Sequence, residues 1–495
     1  MTVATAHKTS DSDIASALPD LEPKVLWKHF DALTRIPRPS KKEARAREYV
    51  ISQAGRLGLE VIEDHAANLI IRKPAFAGRE QAPMSLLQAH LDMVCEKDEG
   101  ADHNFETDPI RVTRDGDWVK AVGTTLGADN GIGVAAALAV MESKNIAHGS
   151  LEFVFTVDEE TGLTGATEFR SGLLRSQYFL NLDSEEIGIL YIGCAGGVNT
   201  IARRKFTRQR ARGSKGYRIK VSGLRGGHSG VDIHQGRGNA LRILGNVVQA
   251  ALSQLPIEVA DINGGNAHNA IPREATAVVV LDGKRSNKLK NIVSKAETEF
   301  KTDLGSFDPG LQITVETVAR PEKTIKPKDA QAIVDLMVAI PHGILAMSPD
   351  MAGLVQNSTN FATMKTDGNS VEILTSQRSA IDDSRRVAAN AVATVCRLAG
   401  FEVEHTGSYP GWKPQPNNGL VRKAQDVHER VFGKPASLIA IHAGLECGVI
   451  GEKYPGMQMI SFGPTIVDVH SPNERVQIST VESFWHYLTA LLESI

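Results

Sequence analysis

Histidines and carboxylates recur where apolar runs of this chain end. His90 and Asp92 follow the run SLLQA, Asp158, Glu159 and Glu160 follow LEFVFTV, Asp183 follows YFLNL, and His470 lies in VDVHSPNE. Between them the stretch TTLGADNGIG carries one carboxylate, Asp129, in a setting of Gly123, Gly127, Gly131 and Gly133. Glycine tolerates positive φ and close backbone approach, so this is a tightly shaped loop, and it opens an alanine-rich helix over Val134–Met141. His90, Asp129, Glu160, Asp183 and His470 together offer two imidazoles and three carboxylates, the mixed N/O set that catalytic zinc takes. Two zinc ions sharing Asp129 as a bridge would use all of them. Two metals about 3.5–4 Å apart polarise a carbonyl and activate water together, so the chemistry indicated is hydrolysis.

The spacing refines this. Residues two apart on an extended chain face the same way, so in His90-x-Asp92 one side chain can bind metal while the other orients the imidazole. Neighbours on an extended chain face opposite ways, so in Asp158-Glu159-Glu160 one carboxylate can bind metal while its neighbour faces substrate as a general base. Taken singly, H-x-D reads as a surface turn and DEE as a solvated acidic turn. The recurrence of the same strand-then-acid arrangement weighs against that. GADNGIG superficially resembles a phosphate loop, but it lacks the lysine and sets an acid where phosphate would sit.

The elements that must position these residues are short buried strands. Ser85–Ala89, Leu151–Val157, Tyr178–Leu182 and Gln458–Phe462 read as such, and in open α/β sheets ligands gather beyond the carboxyl ends of strands. Helices are expected over Pro23–Leu33, Lys41–Leu57, Gly419–Phe432 and Thr480–Glu493. Residues 198–399 alternate strands and helices in two βαββαβ-like sets, and Arg203–Lys215 reads as a basic, solvated connection. Strand-end ligands on both sides of that segment make it an insertion. The expected organisation is a polar tail over 1–20, a discontinuous catalytic domain over 21–197 and 400–495, and an inserted α+β domain over 198–399.

At 495 residues the chain is too long for one typical domain, and its net charge of −3 selects no charged partner. No basic run of the nucleic-acid type occurs. Cys95, Cys194, Cys396 and Cys447 form no C-x-x-C pair or disulfide framework, which fits a reducing compartment. The N-terminus lacks the apolar core of a secretory signal, and no apolar stretch is long enough to span a bilayer. A cytoplasmic protein with no membrane partner is expected.

The segments H-x-D, GADNGIG, DEETG and NLDSEE, with the late His470, resemble the co-catalytic zinc aminopeptidase and dipeptidase clan. LQAHLDMVCEK, TLGADNGIG, GGHSGVDIHQGRGNA, NAIPREA and HAGLECG resemble its aminoacyl-histidine dipeptidase family, over essentially the whole chain after about residue 20. The resemblance implies a mixed α/β sheet domain with helices on both faces and an inserted lid domain. It implies two Zn2+ ions per subunit, with Mn2+ or Co2+ as alternatives. His90 and His470 would each bind one ion, Asp129 would bridge both, and Asp183 and Glu160 would complete the two shells. It makes Glu159 the general base, Asp92 the orienter of His90, and Asp129–Asn130 a cis peptide. His228 resembles the lid histidine that stabilises the oxyanion, and Asn269 and Arg378 resemble residues that hold the substrate carboxylate. Glu446, by its charge and its GLECG loop, is our candidate for the substrate's free amine. The implied activity is hydrolysis of unblocked dipeptides, including Xaa-His and β-alanyl-histidine, by a homodimer. An aminoacylase or tripeptidase of the same clan, or a metal-stabilised binding protein without catalysis, are the alternatives.

Overall fold

The computed structural model describes Leu18 and residues 20–495, so the tail expected over 1–20 falls almost wholly outside the described residues. The chain divides into two compact units. The first comprises residues up to Ile192 with 415–439 and 449–495, and the second comprises 193–414 and 440–448.

The first unit is built on a mixed sheet of eight strands. Their order is Glu60–Glu63, Leu69–Lys73, Leu151–Thr156, Ser85–His90, Tyr178–Asn181, Gln458–Ser461, Ile189–Cys194 and Ser437–Ile441. The four central strands run parallel. Ser85–His90 and Leu151–Thr156 are buried along their whole length, as strands covered on both faces must be, so apolar residues dominate both and the buried Gln88 and Glu152 are hydrogen-bonded. His90 stands opposite Thr156, so the residues that follow these two strands emerge at one edge of the sheet. The helix Ala128–Glu142 packs on Ser85–His90 and against Lys24–Thr34. It is buried on every side, so its sequence is apolar all round rather than striped. A four-stranded antiparallel sheet joins Val112–Asp115, Trp118–Ala121, Arg475–Gln477 and Ile466–Val467, and the loop between the last two carries His470.

The second unit is an antiparallel sheet. Its order is Gln312–Val318, Lys215–Ser222, Ala275–Leu281, Glu258–Gly264, Val355–Asp367, Ser370–Ser379, Gly196–Lys205 and Glu402–Tyr409, with Gly343–Met347 paired to Val355–Asp367. Helices Ala240–Gln254, Ser286–Leu304, Pro327–Ala339 and Asp382–Leu398 share its apolar core. Two features differ from the sequence reading. Part of Arg203–Lys215 belongs to strands, because acids on neighbouring strands and a helix neutralise its arginines. Arg203 pairs with Glu372 and Glu404, and Arg204 with Asp329. The strand Glu402–Tyr409 pairs with Gly196–Lys205, so the start of the segment 400–495 lies in the second unit and not with the terminal segments.

Candidate metal centre

In the first unit the other four candidate ligands, His90, Glu160, Asp183 and His470, gather around Asp129. His90 Nε2 lies 3.2 Å from Asp129 Oδ1 and 3.3 Å from Asp183 Oδ1. His470 Nε2 lies 3.3 Å from Asp129 Oδ2 and 3.1 Å from Glu160 Oε2. Each oxygen of Asp129 therefore faces one imidazole with its own second carboxylate. In each set, His90–Asp129–Asp183 and Asp129–Glu160–His470, the donor atoms lie within 4.8 Å of one another.

The donor set fits bound cations. Glu160 Oε1 is buried with no hydrogen-bond partner. Burial raises the Asp183 carboxyl to about 6. Burial, then the charges of Asp129 and Asp183, push Glu185 to about 8. Burial alone would lower His90, yet Asp183, Asp129 and Asp92 hold it well above the usual imidazole range. Hydrogen bonds to Asp129 and Glu160 raise His470 to about 11. So many acids in so little space demand positive charge, and zinc or another N/O-seeking divalent ion is the chemical match.

The loop geometry explains the glycines. Gly127 has φ +71°, and a Cβ there would meet Arg38 Nη2 at 2.5 Å and Met93 Sδ at 2.8 Å. A Cβ on Gly133 would strike the Asn130 side chain and lie 2.6 Å from the Leu182 carbonyl. The Asp129–Asn130 peptide is cis. Asn130 donates through Nδ2 to Asp183 Oδ1.

Asp92 lies 3.4 Å from His90 Nδ1 and does more than orient that ring. Its Oδ1 accepts from Glu159 N at 3.0 Å and its Oδ2 from Glu160 N at 3.1 Å and Ser40 Oγ at 2.8 Å. The acidic triplet departs from the extended geometry expected of it. Asp158 has φ +51°, and its carboxylate accepts from the hydroxyls of Thr161 and Thr164, both at 2.5 Å. With the chain turned there, Glu159 and Glu160 both bring an oxygen within 4.8 Å of a His90 ring nitrogen instead of pointing apart.

Several supporting residues escaped the sequence reading. Arg38, fully buried, donates through Nη1 to the carbonyls of Leu91 and Asp92, each at 2.9 Å, and through Nη2 to Gly127. Glu43 accepts from Asp158 N at 3.0 Å, and Glu474 accepts from the Asp129 loop. Their partners are main-chain groups, which leave no pattern of side-chain spacing.

In the second unit His228 and Asn269 line one cavity of about 750 Å³, together with Arg225 and Arg273. His228 Nδ1 accepts from the amides of Gly230 and Val231, both at 3.2 Å. Burial, then Arg378, lowers its pKa to about 4. The ring is thus neutral with its proton on Nε2. That Nε2 lies 3.5 Å from Arg378 Nη2. Two donors facing each other call for an acceptor, and Arg378 Nε is also buried without a partner. Arg378 Nη1 donates to Tyr409 Oη at 3.0 Å, and Ser358 Oγ meets His442 Nε2 at 2.7 Å. Glu446 is buried at the start of the helix Glu446–Lys453.

Residues 86–494 match the model of Peptidase family M20/M25/M40. The cytosol non-specific dipeptidase of Escherichia coli is 39% identical over 97% of this chain and 99% of its own length. The crystal structure of aminoacylhistidine dipeptidase from Vibrio alginolyticus aligns with a TM-score of 0.89 and 41% identity, over 97% of this chain and 98% of that one. Aminopeptidase PepT from Bacillus cereus, at 18% identity and a TM-score of 0.55 over 96% and 99% of the two chains, shares the fold.

Proposed function

The chain belongs to peptidase family M20/M25/M40, and from that premise we propose that it is a metal-dependent dipeptidase hydrolysing unblocked dipeptides, Xaa-His and β-alanyl-histidine among them. The observation that carries the reading is the division of the two Asp129 oxygens between two histidine–carboxylate sets. His90, Asp129 and Asp183 would hold one zinc ion, and Asp129, Glu160 and His470 the other. When bound, the pair would supply Lewis acidity toward the scissile carbonyl and lower the pKa of water.

The chain's own residues do the rest. Glu159 takes the proton of the attacking water and returns it to the leaving amine. Asp92 keeps the His90 ring aligned and anchors the Glu159–Glu160 backbone, so ligand and base move as one piece. His228, neutral with its proton on Nε2, donates to the oxyanion of the tetrahedral intermediate. Arg378 and Asn269 hold the substrate carboxylate, for which a guanidinium fork is suited. Glu446 receives the free amine. The reading includes a homodimer, with His228 serving either its own centre or the partner's, and a cytoplasmic location, as for the cytosol dipeptidase of Escherichia coli. Among the described residues no helix is long and apolar enough to cross a membrane.

The test is an assay of purified protein on carnosine, other Xaa-His and non-His dipeptides, N-acetyl-amino acids and a tripeptide. Each is run with chelator and with Zn2+, Mn2+ or Co2+ restored. Chelator-sensitive cleavage confined to free dipeptides is expected. Activity only on acylated amino acids would keep the metal centre and overturn the substrate. Bound metal without any activity would favour a binding protein. Mixing a Glu159→Gln chain with a His228→Ala chain restores activity if His228 acts across subunits, and leaves the mixture inactive if it acts within one.

A further inference from the structure

The loop that carries Asp129 hangs on one side chain. Glu474 Oε2 accepts from Leu126 N at 2.7 Å and Gly127 N at 2.9 Å, and its Oε1 from Ala128 N at 2.7 Å and Asp129 N at 3.2 Å. Four successive amides thus converge on one carboxylate that is 2% exposed. Such a run of N–H groups is a ready-made anion cradle, and leaving buried amides unpaired would be costly.

Glu474 also belongs to the loop that carries His470. Its own amide bonds to Ser471 O at 3.0 Å, Ser471 Oγ donates to Asp468 O at 2.7 Å, and His470 has φ +60°. Glu474 directly precedes the strand Arg475–Gln477, which is paired to Trp118–Ala121. The base of the His470 loop is therefore fixed to a sheet while its carboxylate grips the Asp129 loop. From the other side Arg38 bonds the Gly127 carbonyl together with those of Leu91 and Asp92, which follow His90. The peptides around Gly127 are clamped between a buried base and a buried acid. That links the backbone of both histidine ligands to the shared carboxylate.

We propose that Glu474 is a positioning residue that sets the Asp129 carboxylate between the two histidines, so that its loss weakens metal binding in a protein that remains folded. This rests on the reading of Asp129 as the shared ligand. Glu474→Gln is the informative variant. It keeps size and shape but turns one acceptor into an NH2 that opposes a pair of amide donors. Metal-free protein would be titrated with Zn2+ against a chromophoric chelator, with melting temperatures and steady-state kinetics recorded alongside.

The expected result is about a ten- to hundredfold loss of Zn2+ affinity, the range typical of residues that support metal ligands. The metal-free protein should still melt cooperatively. At saturating metal kcat should fall while KM stays within about threefold, because the support acts on the reacting centre and not on substrate binding. Glu474→Asp keeps the carboxylate one methylene further back and should recover part of both losses. A folded Glu474→Gln protein with native Zn2+ affinity and kcat would overturn the proposal, whatever its melting temperature. If the glutamine variant does not fold, Glu474→Asp decides alone: native Zn2+ affinity and kcat overturn the proposal, and a loss of both supports it. Asp129→Ala serves as the control. If that variant binds Zn2+ like the native protein, the metal-centre reading itself fails. If it loses Zn2+ while Glu474→Gln does not, only the positioning role fails.

Discussion

The two polar clusters of this chain tune the same residue type in opposite directions. In the first unit, carboxylates surround His90 and His470 and raise both imidazoles far above their usual range. In the second unit, burial and then Arg378 lower His228, His268 and His442. One cluster is an anionic pocket that asks for cations, and the other is a cationic and neutral-donor pocket that asks for an anion. In the proposed dipeptidase the first would activate water and the second would hold a carboxylate and an oxyanion. The contrast separates their kinetic signatures.

The largest effect should come from the acidic cluster. Glu159→Gln removes the proposed base and should lower kcat about a thousandfold, within the span of general acid–base catalysis, with KM little changed. A rise in KM at constant kcat would break the contrast. The next effect belongs to Arg378. Arg378→Lys keeps the charge but not the fork, and should raise KM for free dipeptides about tenfold, the loss of a charge-assisted hydrogen bond. The same variant should leave dipeptide amides nearly unaffected. Equal losses on acid and amide would remove Arg378 from carboxylate binding.

A smaller effect concerns acid stability of the second unit. His442, lowered from 6.5 to about 3 chiefly by burial, stays neutral in the fold. As pH falls below about 6.5 the unfolded imidazole takes up a proton that the folded one refuses until about 3. Its contribution is therefore complete above 6.5 and is lost as pH drops through that window. His442→Gln can still accept from Ser358 and has no proton to gain. Its melting temperature should fall less than that of the native protein between pH 7 and pH 4.5, by a few degrees. An equal fall would mean that other groups govern acid lability.

What the sequence made legible follows the same divide. His90 ends one buried, mainly apolar strand, and Glu160 and Asp183 lie shortly after two others, so parallel register carries all three to one edge. Asp129 was marked by glycines whose replacement would collide with Arg38, Met93 and Asn130. Glu474 sits four residues after His470, yet nothing in its spacing announces that its partners are four amides of a loop about 350 residues earlier. The turn at Asp158 was invisible because positive φ at a non-glycine residue leaves no mark in composition. In the second unit the helices and most strands were readable from periodicity. The strand Gly196–Lys205 was masked by arginines whose acidic partners lie about 170 and 200 residues away. His228, Asn269 and Arg378 were named by family resemblance alone, since an antiparallel sheet has no single ligand-gathering edge.

In the metal-loaded protein Asp129 should be shared by two metal ions. Anomalous diffraction at the zinc edge from crystals of the metal-loaded protein tests it directly. Two peaks about 3.5–4 Å apart are expected, one between the Asp129 carboxylate and His90, the other between it and His470. A single peak, or two peaks of which neither touches Asp129, would contradict it.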